Sequence, residues 1–126
     1  MAIDEQVELL KQGVKAWNGW RARQPEATID LSQGALRGLA LDGADLSGAN
    51  LTGADLRGTV LSGADLAGAR FQDANLFKAV IEAADLKGAD LRGAKFLSCD
   101  QLISARNWQT AVRDADLACG APIPPS

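Results

Sequence analysis

Two side-chain chemistries stand out in this 126-residue chain, and one is missing. Cysteine occurs only at Cys99 and Cys119, each able to ligate a metal, form a disulfide or rest as a buried thiol. Aspartate recurs at Asp45, Asp65 and Asp85, which brings carboxylates together only if the chain itself returns every 20 residues. Histidine is absent, and with it the commonest general base, the usual metal ligand and the middle member of serine and cysteine triads. Two thiols do not make the four-ligand site of structural zinc, and no nucleophile stands beside a base. The residues favour neither an enzyme nor a metal or cofactor carrier, so attention passes to the scaffold that spaces them.

That scaffold has a period of five. Stepping from Leu31, the chain reads Leu36, Leu41, Leu46, Leu51, Leu56, Leu61, Leu66, Phe71, Leu76, Ile81, Leu86, Leu91 and Phe96, all large and apolar. Two positions before each, residues 44 to 94 are alanine except Thr59. A helix scatters residues five apart about 140° around its axis, and a flat strand alternates them between faces. Only a coil that turns a corner every five residues sends each large group, with its small predecessor, into one interior. Glycine follows two positions after the large residue at nine places, from Gly38 to Gly93, as a turn with positive φ at its third residue demands. Asp73, Lys78 and Ala83 stand where that glycine is missing, which predicts a different turn geometry there.

The units Ala44-Asp45-Leu46-Ser47-Gly48, Ala49-Asn50-Leu51-Thr52-Gly53 and Ala64-Asp65-Leu66-Ala67-Gly68 resemble the pentapeptide-repeat family and its Ala-Asp/Asn-Leu-X-X pattern. The resemblance spans about residues 29 to 98 and implies an all-β solenoid, a right-handed quadrilateral β-helix with four units per coil and about 3.5 coils. Residues 20 apart then stack at roughly 4.8 Å. The expected inward columns are Leu31/Leu51/Phe71/Leu91, Leu36/Leu56/Leu76/Phe96, Leu41/Leu61/Ile81 and Leu46/Leu66/Leu86. A strict five-residue step fits neither the nine-residue calcium roll nor the Leu-x-x-Leu-x-Leu spacing of leucine-rich repeats.

An open solenoid exposes strand edges and core at both ends and needs caps. Over residues 1–25, Ile3, Val7, Leu10, Val14 and Trp17 recur at four- and three-residue steps, with Trp20 a turn later, predicting one amphipathic capping helix that ends before Pro25. Residues 26–98 form the repeat domain. Residues 99–126 read as a short helical C-terminal cap, with Asp100 as its N-cap, and an extended proline-rich tail. Some members of the resembled family close such a cap with a disulfide, which makes Cys99 and Cys119 candidates for a clasp. The alternative stays open: Cys99 occupies an inward small position, where a thiol simply replaces alanine.

Function must reside on the outer walls, since the interior is filled. Asp45, Asp65 and Asp85 form an acidic ladder, read as a solvated face. Val60 and Val80 form an outward apolar column, while Phe77 and Leu97 share a column with Arg37 and Arg57, giving a mixed basic and apolar strip as the candidate partner surface. The net charge of -3 and the lack of a basic run argue against a nucleic-acid partner, and no apolar stretch is long enough for a membrane span. The N-terminal residues lack the layout of a secretory signal, so the expectation is a cytoplasmic monomer, moved to a periplasm or another oxidising compartment if the cysteines are bridged. The leading reading is a non-enzymatic interaction or scaffold module for an unidentified protein partner. A second comes from the resemblance, whose members include DNA-mimicking binders of type II topoisomerases such as gyrase. Against it, 3.5 coils make a rod of roughly 17 Å, about five base-pair steps of duplex.

Overall fold

The computed structural model describes residues 2–125; Met1 and Ser126, the outer ends of the expected cap and tail, lie outside the described residues. Each unit of the repeat closes on itself as a four-residue turn. In Leu41 to Ala44 the Ala44 N–H donates to the Leu41 carbonyl at 3.1 Å while Gly43 takes φ 70°, and the same bond recurs from Ala49 to Leu46 and from Ala64 to Leu61. With its corner made this way, a five-residue side keeps one residue for pairing. Ten parallel bridges join residues 20 apart, from Asp30 with Asn50 to Asn75 with Lys95. The result is a four-sided β-helix built from single bridges, and no continuous strand forms among the described residues.

The interior follows the period. Leu31, Leu36, Leu41, Leu46, Leu51, Leu56, Leu61, Leu66, Phe71, Leu76, Ile81, Leu86 and Leu91 are buried, with alanines filling the gaps between them. Thr59 is buried at one alanine position, and its hydroxyl donates to the Leu36 carbonyl at 2.7 Å, so no polar atom is stranded there. Each buried large side chain contributes roughly 1.5 to 3 kcal/mol of transfer energy, which sets the scale on which the walls and caps are judged.

Four expectations need correction. The glycine-free corners do not change geometry: Asp73, Lys78 and Ala83 take φ of 60°, 59° and 59°, in the same left-handed region as the 65° to 73° of the glycine corners. Bridges on either side fix the turn, so the residue bears the strain instead of the backbone rearranging. Phe96 does not join the Leu36/Leu56/Leu76 column. It takes φ 60° and stands 67% exposed, while its neighbour Leu97 turns against the core and Leu102 is fully buried. The chain leaves the coil after Lys95 in order to cross the open end, and a slip of one residue exchanges which side chain points in. The N-terminal cap is two helices, α1 (Asp4–Lys11) and α2 (Val14–Arg23), broken at Gly13, whose φ of 119° no helix accommodates. The N-cap of α3 (Cys99–Ile103) is Ser98 and not Asp100: the Ser98 hydroxyl accepts from the Gln101 N–H at 3.1 Å, and the Gln101 side chain accepts from the Ser98 N–H at 2.8 Å.

Both ends are sealed by side-chain amides that imitate a missing coil. Gln6 donates to the Thr28 carbonyl and accepts from the Asp30 N–H, at 2.8 and 2.9 Å. Asn18 does the same with the Gly43 carbonyl and the Asp45 N–H, at 3.0 and 2.8 Å. Beside it Trp17, fully buried, donates its indole N–H to the Asp45 carbonyl at 2.7 Å. At the other end Gln101 donates to the carbonyls of Leu76 and Ala79. After α3 the chain returns to the coil, pairing Asp85 with Arg106 and Asp90 with Val112, now 21 and 22 residues apart.

Candidate interaction surface

Among the described residues no cluster of three or more metal-ligating side chains exists, and the interior is packed solid, so any site lies on a wall or an end. The acidic ladder is present as a bridged row, Asp45 with Asp65 and Asp65 with Asp85. Its carboxylates serve the fold. Each Oδ1 accepts the backbone N–H two residues on, of Ser47, Ala67 and Lys87 respectively, at 3.0 to 3.2 Å. Asn50, Asp55, Asn75 and Asp90 do likewise, which explains the Asp/Asn of the repeat: it caps the corner from within. The spacing alone does not reveal this bond; its signal in the sequence is that Asn substitutes for Asp while no other acid does.

Both ends of the ladder are also occupied. Arg21 of α2 reaches Asp45 at 3.4 Å and the Ser47 carbonyl at 3.0 Å. Burial pushes the Asp45 carboxyl up, and the bonds from Ser47 and Arg21 more than reverse this, leaving it below the ordinary value. At the other end Asn107 donates to Asp85 at 2.8 Å and holds its carboxyl low.

The neighbouring columns divide into two faces. Val60, half-buried, bridges Val80, which is 40% exposed and borders a shallow recess with Gln101 and Ser104. Arg37, Arg57 and Phe77 line one wall. Leu97 is withdrawn from it and packs against the core; Phe96 takes its place, its ring 6.0 Å from Phe77 and edge-on at 76°. Phe77 is 49% exposed, and Lys78 reaches over its ring at 5.4 Å. Arg57 is held by a two-point fork on Asp55, Nε to Oδ1 at 2.8 Å and Nη2 to Oδ2 at 2.7 Å, which draws the Asp55 carboxyl down to about 2. Arg37 is exposed. Two shallow grooves flank this ridge, one of about 290 Å³ bordered by Arg37, Arg57, Gly58, Phe77 and Lys78, the other of about 270 Å³ bordered by Arg57, Asn75, Phe77 and Phe96. The strip expected from sequence is thus assembled with Phe96 and Lys78 added and Leu97 removed.

Cys99 and Cys119 form a disulfide, with Cα atoms 5.6 Å apart, tying the start of α3 to the tail. Beside it lies a group that sequence reading overlooked. Arg113 follows directly on Val112, the last residue paired with the coil, and is 3% exposed. Its guanidinium donates to the carbonyls of Ala111, Leu117, Ala118 and Pro122 at 2.7 to 3.1 Å. It also faces the Trp108 ring at 5.1 Å. Five donors in a fixed fork suit a ring of otherwise open carbonyls, so this arginine is a plug for the end of the solenoid and not a binding group. Burial lowers its pKa from a very high starting value.

A pentapeptide-repeat family model matches in eight copies, over residues 29–63, 41–77 and 54–93. A pentapeptide repeat protein from the Arabidopsis thaliana thylakoid lumen is 34% identical over 60% of this chain and 62% of its own, with a TM-score of 0.49. One from the cyanobacterium Cyanothece 51142 is 32% identical over 69% of this chain and 51% of its own, with a TM-score of 0.37. QnrB1, a plasmid-mediated fluoroquinolone resistance protein, is 23% identical over 71% of this chain and 38% of its own, at 0.38. The chain therefore spans less than two thirds of the length of each of these three. Comparison with curated protein sequences gave no match. Matched over residues 29 to 93, just over half its length, and folded as the four-sided coil that this repeat implies, a right-handed quadrilateral β-helix, the chain belongs to the pentapeptide-repeat family.

Proposed function

We propose that this chain is a non-enzymatic interaction or scaffold module, a monomer that meets a protein partner through the wall carrying Arg37, Arg57, Phe77 and Phe96. One observation carries the reading: with the core filled, this wall alone combines exposed aromatic rings with free cations among the described residues. Large apolar groups left in water on a rigid wall are the usual mark of a contact surface. Val60 and Val80 extend it onto the adjoining side. The Cys99–Cys119 bridge supports residence in an oxidising compartment such as a periplasm, where such a bond persists, over the cytoplasm. Among the described residues no helix is long and apolar enough to cross a membrane. The DNA-mimic reading is weaker, because a mimic needs free carboxylates and two of the three in the ladder are already engaged by Arg21 and Asn107.

Affinity capture from native cells tests the proposal. Partners held by the unaltered protein are expected to be lost with the double variant Arg37→Glu, Phe77→Ser and retained with Asp65→Asn on the opposite wall. An identical partner set for all three proteins would remove the wall from consideration.

A further inference from the structure

The proposed contact wall differs in charge from the rest of the molecule. The chain as a whole is at -3, yet Arg37, Arg57, Lys78 and Lys95 gather on this wall or at its corner, where the bridged column Ala35, Asp55, Asn75 and Lys95 holds one carboxylate, Asp55, and Asp73 stands at the far corner. Asp55 is consumed by Arg57, whose two-point fork pins that guanidinium down. Arg37, Lys78 and Lys95 make no ion pair among the described residues. Three cations without an ion pair therefore share this wall and its corner with two exposed phenylalanines, and Lys78 reaches over one of the rings.

The backbone points the same way. Lys78 and Phe96, which flank the Phe77 ring, both sit at positive φ, 59° and 60°, where a side chain other than glycine is strained. Lys78 occupies a corner that nine units of the repeat give to glycine, and Phe96 breaks the inward period and stands outside the core. Both departures work against the fold, and both add a cation or a ring to this one wall.

We propose, resting on the interaction reading above, that the Arg37–Phe77–Phe96 wall docks an acidic peptide segment carrying an aromatic or large apolar side chain. The apolar anchor lies across Phe77 and Phe96, in the groove bordered by Arg57 and Asn75, and the flanking carboxylates meet Arg37 and the two lysines. Arg37 and Phe77 are two coils apart, roughly 10 Å at the strand spacing, so an acidic residue about three positions from the anchor in an extended segment spans them. The wall is held rigid by its bridges and corner bonds, so little ordering is needed on this side of the interface.

Two other occupants are disfavoured by the same observations. A single-stranded nucleic acid would combine the rings with its phosphates, but Asp55 lies in the middle of the wall and leaves only Arg37 as a free guanidinium there. A second copy of this chain would have to offer its acidic ladder, of which Asp45 and Asp85 are already engaged.

The test is a titration of the disulfide-bonded protein with a fluorescein-labelled synthetic peptide, several glutamates around one tryptophan, read by fluorescence anisotropy. Saturable binding that weakens with added salt is expected, and about a tenfold rise in Kd for Arg37→Glu and for Phe77→Ser, each variant first shown to melt at the wild-type temperature. A peptide with glutamine for glutamate, or with serine for tryptophan, is expected to bind at least tenfold more weakly. Binding to the acidic peptide no tighter than to the glutamine control overturns the proposal. So does tighter binding to an oligothymidine than to the peptide, or a dimer by light scattering that the Arg37→Glu variant abolishes. If the peptide fails while captured partners still depend on Arg37 and Phe77, only the acidic class is wrong; if capture is independent of both, the interaction reading falls with it.

Discussion

The two ends of this solenoid meet the same difficulty, open strand edges above an apolar core, and solve it by different means. At the N-terminus two helices outside the coil lend side chains: the amides of Gln6 and Asn18 take the bonds of a missing peptide, and Trp17 covers the core. At the C-terminus the chain leaves the coil after Lys95, crosses the end through α3 and rejoins the coil at the wider spacings of 21 and 22 residues, with Ala105 and Ala111 buried as alanines are in the repeat. It is then closed by the Arg113 plug and the disulfide. The backbone records the difference. Among the described residues one other than glycine, Gln33, has positive φ before residue 60; after it there are six, Asp73, Lys78, Ala83, Phe96, Asn107 and Cys119. The first end is relaxed and joined by noncovalent contacts, whereas the second carries strain that a covalent tie helps to hold.

Removing the N-terminal lid is expected to have the largest effect. Trp17→Ala leaves a cavity at a fully buried site and orphans the Asp45 carbonyl, so a loss of about 3 to 5 kcal/mol is expected in urea unfolding. A loss below about 1 kcal/mol would mean that the helices only decorate the end. Next comes the tie: Cys99→Ser with Cys119→Ser opens a link between residues 20 apart and is expected to cost about 3 kcal/mol, reproduced by reducing the wild type. If reduction leaves the melting curve in place, the Arg113 carbonyl ring alone closes this end. Asn18→Ala, which removes one imitated peptide without touching the core, is expected to cost about 1 to 2 kcal/mol by the same assay, and parity with wild type would show that water serves that edge equally well.

What the sequence displayed and what it hid also divide along this line. The inward column was legible because burial is imposed by every coil on the next, so Leu46, Leu66 and Leu86 repeat the same physical demand. The strip of Arg37, Arg57 and Phe77 was legible for the same reason, position in the period alone placing it on one wall. Phe96 and Leu97 were exchanged because the period carries no information about the residue at which a chain leaves it. Gln6, Asn18 and Gln101 look like ordinary surface amides until the edges they close are in place. Arg113 was invisible for a related reason: its burial depends on carbonyls of Leu117, Ala118 and Pro122 that converge only after the tail folds back.

The smallest effect bears on the strain itself. Ala83 sits at φ 59° in a corner that nine units of the repeat give to glycine, a conformation in which a Cβ costs about 1 to 2 kcal/mol. Ala83→Gly removes that cost but adds freedom to the unfolded chain, a loss of about 0.4 to 1 kcal/mol, so a net gain of about 0.5 to 1 kcal/mol is expected. The reverse change makes the control. Gly58 has φ 65° and no atom within 4 Å of the place a Cβ would take, so Gly58→Ala introduces no clash and is expected to lose a similar amount through conformation alone. Equal and opposite shifts in the urea midpoint would show that corners in the two halves obey one rule and that the C-terminal half simply bears more of its cost. If Ala83→Gly is neutral while Gly58→Ala destabilises, the strain is relieved within the C-terminal coil, and the tie at Cys99 and Cys119 is needed for its length alone.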